Sequence, residues 1–575
     1  MSETRPVIMG TRGCLASSNY LATAAGFEVL LAGGNAADVA VATGLALHVV
    51  EPHMNGIGGE NPVILYSAKE RKVFTISGQG TAPKAATIDY FHKNGIDLIP
   101  GDGYLPATVP ASFDTWVTLL SHFGKMTLAE VAGPAIRLAE EGFPVYPPLR
   151  MKIKQHEQRF REEWTTTARV FLPNGRVPLV GQVLKQKDLA RTLRSLTHAE
   201  KRSGATRLRG LDAARAFFYD GPVARRIVQF ASTHASSDAT GKSHTGLLSL
   251  QDFKDYKTKV EESVNVDYQG LTVHKCGPWS QGPVFLQQLR LLEEFNLGEI
   301  GHNSADYIHL ITEASKLAFA DRERFYGDPL FTKVPMAKLL SREYANARRK
   351  LVDMENASME LRAGDGNVLK PGIDARTTSS AGDTTHLDVV DCDGNMVTAT
   401  PSGGWIWSSP VIEGLGFPLG TRGQMFSLNP DHPNALAPGK RPRTTLSPTL
   451  VTSKGRPWLA FGTPGGDQQD QWTLQFFLNV VNFGMNLQAA IDAPSFHTAH
   501  FPSSFYPRES LPGSLYVEDR IPSEIRTELK RRGHKIFVED GWSNGRVTAV
   551  QYDWQNRVMK AAASSRFQTA YALGT

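Results

Sequence analysis

Cysteine is almost missing from this chain of 575 residues: Cys14, Cys276 and Cys392 are all there is. Three scattered thiols exclude a disulfide framework and a cysteine-based zinc site. Long hydrophobic runs are missing as well. No window approaches the roughly 18 uninterrupted apolar residues of a membrane-spanning helix, so no membrane partner is expected. A charge excess is lacking too: 62 Lys and Arg against 57 Asp and Glu leave +5, spread along the chain without a basic stripe. That balance does not suggest a nucleic-acid partner. The opening Met1-Ser2-Glu3-Thr4-Arg5-Pro6 lacks the charged-then-apolar layout of a signal peptide, and the expectation is a cytoplasmic soluble protein. What is present is a 41% hydrophobic share, enough for a substantial core. The length allows two to four units of roughly 150 residues, or one continuous body.

Periodicity and turn residues outline the elements. Residues 33–38, Gly-Gly-Asn-Ala-Ala-Asp, separate two helical stretches, and the second, Asp38 through His48, is apolar on most faces and therefore predicted to be buried. Residues 54–59, Met-Asn-Gly-Ile-Gly-Gly, read as a tight turn into a strand at Pro62–Tyr66; their spacing fits neither a Walker loop nor a dinucleotide fingerprint. Helices are predicted at Leu128–Glu141, Asp188–His198 and Ser304–Phe325, and residues 350–383 read as a loop or mobile connector. Two β-rich runs, 386–390 and 395–400, flank Asp393-Gly394 and predict a hairpin. A second strand pair, 449–451 and 458–461, runs into Gly465-Gly466-Asp467, with Asp467 expected to cap a helix over Gln468–Phe483.

Thr384 heads the first hairpin directly after the polar connector. A cut before it would give a threonine whose own α-amine, with an ordinary pKa near 8, can act as base for its hydroxyl. Alone this signal is weak, since Thr pairs are common in strands. Gly465 and Gly466 lie between a strand end and a helix start, where backbone N–H groups can face a developing oxyanion. His497 and His500 lack a third ligand and follow Pro494, so no metal is read there. Cys392 has no basic neighbour to activate it. His386 is taken as structural.

Six segments in order carry a resemblance: residues 33–42, 108–111, 318–329, 384–395, 440–449 and 463–466. Through them the sequence resembles the gamma-glutamyltranspeptidase family over nearly its whole length. The resemblance implies an α+β fold, the four-layer αββα sandwich of N-terminal-nucleophile (Ntn) hydrolases. It also implies a cut between Asp383 and Thr384, leaving a large chain 1–383 and a small chain 384–575 that stay associated. By position Thr384 matches the nucleophile, Gly465 and Gly466 its oxyanion hole, and Ser402 the hydroxyl that orients the nucleophile. Thr444 and Thr445 stand where the family holds the substrate carboxylate with two serines. A small-molecule amide is the expected partner, with no cofactor; a homodimer of processed heterodimers is compatible with the resemblance.

Departures concern the acyl pocket. Gln79 stands nearest the arginine that grips a γ-glutamyl carboxylate, and a neutral amide cannot form that charged clamp. Met425 replaces the acid that reads the α-ammonium, Arg422 its polar partner, and Gly404 an asparagine. An added cation and a lost acid point to an acyl group without the α-amine, oxamate-like or glutaryl-like. The alternatives are true γ-glutamyl transfer or hydrolysis on glutathione-like donors, and an uncut, non-catalytic binding homologue. The short stretch 428–439, where a longer lid is common, favours hydrolysis. Trp405 and Trp407 either line the acyl pocket or are core aromatics.

Overall fold

The computed structural model describes residues 3–204, 206–374 and 383–575. Fourteen strands build two sheets among the described residues. In chain order they are β1 (Ile8–Gly10), β2 (Gly13–Ser17), β3 (Val63–Ser67), β4 (Lys72–Ile76), β5 (Val260–Glu262), β6 (Val264–Tyr268) and β7 (Leu271–Lys275). They continue with β8 (Leu387–Asp391), β9 (Met396–Ala399), β10 (Thr449–Ser453), β11 (Arg456–Gly462), β12 (Thr548–Asp553), β13 (Val558–Ala563) and β14 (Tyr571–Gly574). One sheet runs β1-β13-β12-β11-β10-β7-β6 and the other β14-β2-β8-β9-β3-β4-β5. Both are antiparallel throughout.

Side-chain alternation explains the packing. Successive residues of a strand face opposite sides, and here both sides are apolar. Cys14, Ile64, Val390 and Met396 share one core cluster with Leu450, Ala460, Val550 and Met559 of the other sheet. Their chain neighbours Leu15, Val63, Leu65, Val389 and Val397 belong to a second cluster, with the helices α1 (Tyr20–Leu31), α2 (Ala36–Val50) and α3 (Leu128–Glu141). On the other sheet Val451, Leu459, Phe461 and Ala549 join α4 (Gly282–Leu292), α5 (Ala305–Phe325) and α6 (Gln469–Val481). The chain is therefore a mixed helix-and-sheet body whose sheets are apolar on both faces.

The helix expectations stand with small shifts. All of α2 is buried, and Asn35 and Asp38 close a capping box at its start. The predicted 188–198 helix extends over Lys187–Arg202. Asp467 does not cap α6. A 3-10 turn, Gly466–Gln468, intervenes, and the Asp467 carboxylate instead pairs with Arg322 and accepts from Ser504 N at 2.8 Å and Oγ at 2.6 Å. A buried guanidinium outcompetes a helix terminus for a carboxylate. Within the predicted connector, residues 350–374 carry short strands at Leu361–Arg362, Val368–Leu369 and Ile373–Asp374; 375–382 lie outside the described residues. No helix among the described residues is long and apolar enough to cross a membrane.

Candidate active site

The site forms where the second sheet's ladders run past the ends of β8, β9 and β3. Thr384 bridges Ser402, and Ser402 in turn bridges Glu60. Glu60 and Ser402 exchange N–H···O bonds of 2.9 Å. Neighbouring positions of a ladder share a face, so three polar side chains from distant parts of the sequence meet. All are buried.

Their hydrogen-bond directions can be fixed. Arg422 donates from Nη2 to Ser402 Oγ at 2.7 Å. Ser402 Oγ donates to the Asp383 carbonyl oxygen at 2.8 Å. Its single proton is thereby used, so in the 3.1 Å contact between Thr384 Oγ1 and Ser402 Oγ the threonine is the donor. Among the described residues Thr384 thus keeps its oxygen lone pairs uncommitted. Arg422 also pairs with Glu60 through Nε and Nη2, places Nη1 3.8 Å from Met425 Sδ, and lies against the rings of Trp405 and Phe505. Burial pushes the Glu60 carboxyl up while Arg422 pulls it down. Its Oε2 has no hydrogen-bond partner among the described residues.

The peptide before Thr384 is anchored too. The Asp383 carbonyl also accepts from Trp405 Nε1 at 2.7 Å. Asp383 Oδ1 accepts from Arg546 Nη2 at 3.0 Å and from the Thr384 amide at 3.3 Å. Thr385 Oγ1 donates to Glu51 at 2.7 Å, and burial drives Glu51 to about 7 against the pull of Thr385 and Arg546. His386 is locked between Thr400 Oγ1 at 2.9 Å and Asp388 Oδ1 at 3.0 Å, a fully buried arrangement.

Gly465 and Gly466 follow β11 with φ of +122° and +58°. A Cβ at Gly465 would lie 2.2 Å from the Trp472 ring, and one at Gly466 2.9 Å from Phe505. Phe505 lies against Arg422, which brings the glycine turn to the same neighbourhood as Ser402. Gln79, with both amide atoms unpartnered among the described residues, and Arg441 line one cavity of about 250 Å³, and Arg441 is itself paired with Asp328 and Glu261. Thr444 Oγ1 accepts from Leu446 N at 3.3 Å; Thr445 Oγ1 is buried without a partner among the described residues.

One reading needs correction. Arg422 is not a free cation, because Glu60, 362 positions away in sequence, neutralises it. Glu60 was missed: an acid closing a glycine turn carries no local mark of its partner. Trp405 is buried, and its indole N–H is shared between the carbonyls of Met54 and Asp383. Away from the site, His309, Glu313 and His534 bring potential metal-ligand atoms together. Glu313 is held there by Lys316 at 2.6 Å, and the two imidazoles hydrogen-bond each other at 2.9 Å.

The Gamma-glutamyltranspeptidase family profile matches residues 22–574. The chain is 30% identical to a glutathione hydrolase proenzyme of Bacillus subtilis (strain 168), over 98% of this chain and 92% of that one. A solved structure of LmbA2991HD superposes with a TM-score of 0.95 at 44% identity, covering 100% of both chains. A cephalosporin acylase from Bacillus halodurans superposes with a TM-score of 0.85 at 31% identity, covering 100% of this chain and 98% of that one. The chain belongs to the gamma-glutamyltranspeptidase family of amide hydrolases and acyltransferases.

Proposed function

We propose that this protein is a self-processing N-terminal-threonine amide hydrolase that cleaves a carboxy-acyl amide, glutaryl-like or oxamate-like, through an acyl-enzyme. The observation that carries the reading is the directed chain from Thr384 through Ser402 to the Asp383 carbonyl, with Arg422 fixing Ser402 from behind. In processing, Thr384 Oγ bonds to the Asp383 carbonyl carbon and its proton passes to the Thr384 nitrogen as the C–N bond breaks. One water then opens the resulting ester, giving the Asp383 carboxylic acid, the free Thr384 hydroxyl and a new α-amine. In turnover the same oxygen attacks an amide, the N–H groups of Gly465 and Gly466 take the oxyanion, and water or an amine accepts the acyl group. On this reading the two sheets and their flanking helices are the αββα sandwich of the Ntn hydrolases, shared by chains 1–383 and 384–575.

Support for an acyl group lacking an α-amine comes from Met425, which is apolar where an acid would be needed, and from the acylase resemblance. Gln79 and Thr445, with idle polar groups, are the candidates to hold its carboxylate. One observation favours the γ-glutamyl reading instead: the unpartnered Glu60 Oε2 can accept from an ammonium. Two measurements decide. Intact-mass analysis should find wild type as two chains, the smaller beginning at Thr384, and Thr384→Ala as one. Glutaryl and γ-glutamyl p-nitroanilides differ only by the α-amine; kcat/KM should favour the glutaryl compound at least about tenfold, about 1.4 kcal/mol. The reverse preference would establish γ-glutamyl chemistry.

A further inference from the structure

We infer that the indole N–H of Trp405, together with the Ser402 hydroxyl, forms an oxyanion hole dedicated to the cut between Asp383 and Thr384, separate from the glycine pair that serves turnover. The inference rests on the processing reading above and adds the group that stabilises its charged intermediate.

Two donors converge on one oxygen. Ser402 Oγ reaches the Asp383 carbonyl at 2.8 Å and Trp405 Nε1 at 2.7 Å. Both lie within the 2.7–3.1 Å window at which oxyanion donors act. When Thr384 Oγ adds to that carbonyl carbon, the electron pair of the C=O bond moves onto this oxygen. The charge then develops against two N–H and O–H dipoles already in place.

Burial alone does not require this contact. The Trp405 N–H already has an acceptor, the Met54 carbonyl at 2.8 Å. One acceptor satisfies an indole. The second bond is in excess of that need, and it falls on the carbonyl that must carry the charge. A proton shared between two carbonyls can shift wholly to the one that becomes anionic, because a charged acceptor binds roughly twice as strongly as a neutral one.

The ring is held for the purpose. Trp405 stacks on Trp407 with centroids 4.6 Å apart and planes 6° from parallel, and Trp407 stacks on His156 at 3°. The guanidinium of Arg422 lies 5.4 Å from the Trp405 ring centroid. That contact packs the guanidinium against the indole and helps to hold the ring in place. Arg422 therefore supports both donors: it orders the Ser402 hydroxyl directly and packs against the indole beside it. The Gly465–Gly466 turn donates no hydrogen bond to this carbonyl among the described residues.

The test follows maturation in time by intact mass in wild type, Trp405→Phe and a full-length protein carrying 3-benzothienylalanine at position 405. The last keeps the fused rings and the stack but has sulfur in place of N–H. Losing one such donor should slow the cut by roughly 10²–10³, in both variants alike. Thermal midpoints, measured in the Thr384→Ala background so that every sample is one chain, check that the fold is kept. Hydroxylamine, which opens an accumulated ester, should not restore the rate, because loss of the donor makes formation of the ester the limiting step. Processing of the benzothienyl protein at the wild-type rate would overturn the inference while leaving self-processing intact. Restoration by hydroxylamine would also overturn it. Wild type that remains whole would overturn both this inference and the processing reading.

Discussion

Replacing Glu51 by glutamine isolates one buried carboxyl beside the Thr384 segment. Burial raises it from 4.5 to about 7, so the folded state holds its proton more tightly than the unfolded chain. The sign follows: its contribution is complete below pH 4.5 and is lost as pH rises through about 7. With those two values the ionised carboxyl costs the fold about 3 kcal/mol at pH 8 but under about 1 kcal/mol at pH 5. Glutamine keeps an oxygen for the Thr385 hydroxyl, which donates to Glu51 at 2.7 Å, and cannot ionise. Glu51→Gln should therefore gain about 2.5 kcal/mol on the parent between pH 5 and pH 8. With an unfolding entropy of about 2.1 cal/mol/K per residue, a chain of 575 residues converts that into about 2 °C in Tm. Scanning calorimetry would compare Thr384→Ala with Thr384→Ala/Glu51→Gln, which cancels every other titration and any effect of cutting. Tm curves that run parallel from pH 5 to pH 8 would refute the assignment of a raised carboxyl to Glu51.

Three further outcomes are expected. Glu60→Ala leaves the buried Arg422 without its carboxylate and should cost about 3–5 kcal/mol in denaturant unfolding; Glu60→Leu/Arg422→Met should cost much less than the two single changes added together. Gly465→Ala places a Cβ 2.2 Å from the Trp472 ring at φ +122°, and should lower stability by about 3 kcal/mol and depress amide turnover; unchanged kcat would remove Gly465 from the oxyanion hole. Ser402→Ala removes the only side-chain partner of the Thr384 hydroxyl among the described residues and one donor to the Asp383 carbonyl, and should slow the appearance of two chains by roughly 10²–10³, whereas Ser402→Thr should retain most of the rate.

What was legible in the sequence was local. The Asp393-Gly394 hairpin is there, with Leu387 paired to Ala399; the all-apolar α2 is buried as its composition demanded. Thr384 sits three residues ahead of β8, in an isolated bridge to Ser402. What was illegible depends on meetings between distant residues. Nothing near Glu60 announces Arg422. Asp467 looks like a helix cap until Arg322, 145 positions earlier, takes its carboxylate. Trp405 reads as a pocket or a core aromatic because apolar bulk is visible in a sequence and the aim of one N–H is not. The electrostatic argument from Arg422 erred for the same reason, since it assigned a net charge to a site from one member of a pair.

The strand order has a consequence for how the protein could be taken apart. Strands from before residue 384 pair with strands from after it in five ladders of the two sheets: β2 with β8, β3 with β9, β2 with β14, β1 with β13, and β7 with β10. A cut at 383–384 separates none of them. It would change the molecularity of folding and leave the fold alone: the intact precursor refolds as a first-order process, whereas two denatured chains must first find each other. Recovery from denaturant would then depend on protein concentration, and a matured enzyme diluted far enough would lose, through mass action alone, a structure its precursor regains at any dilution.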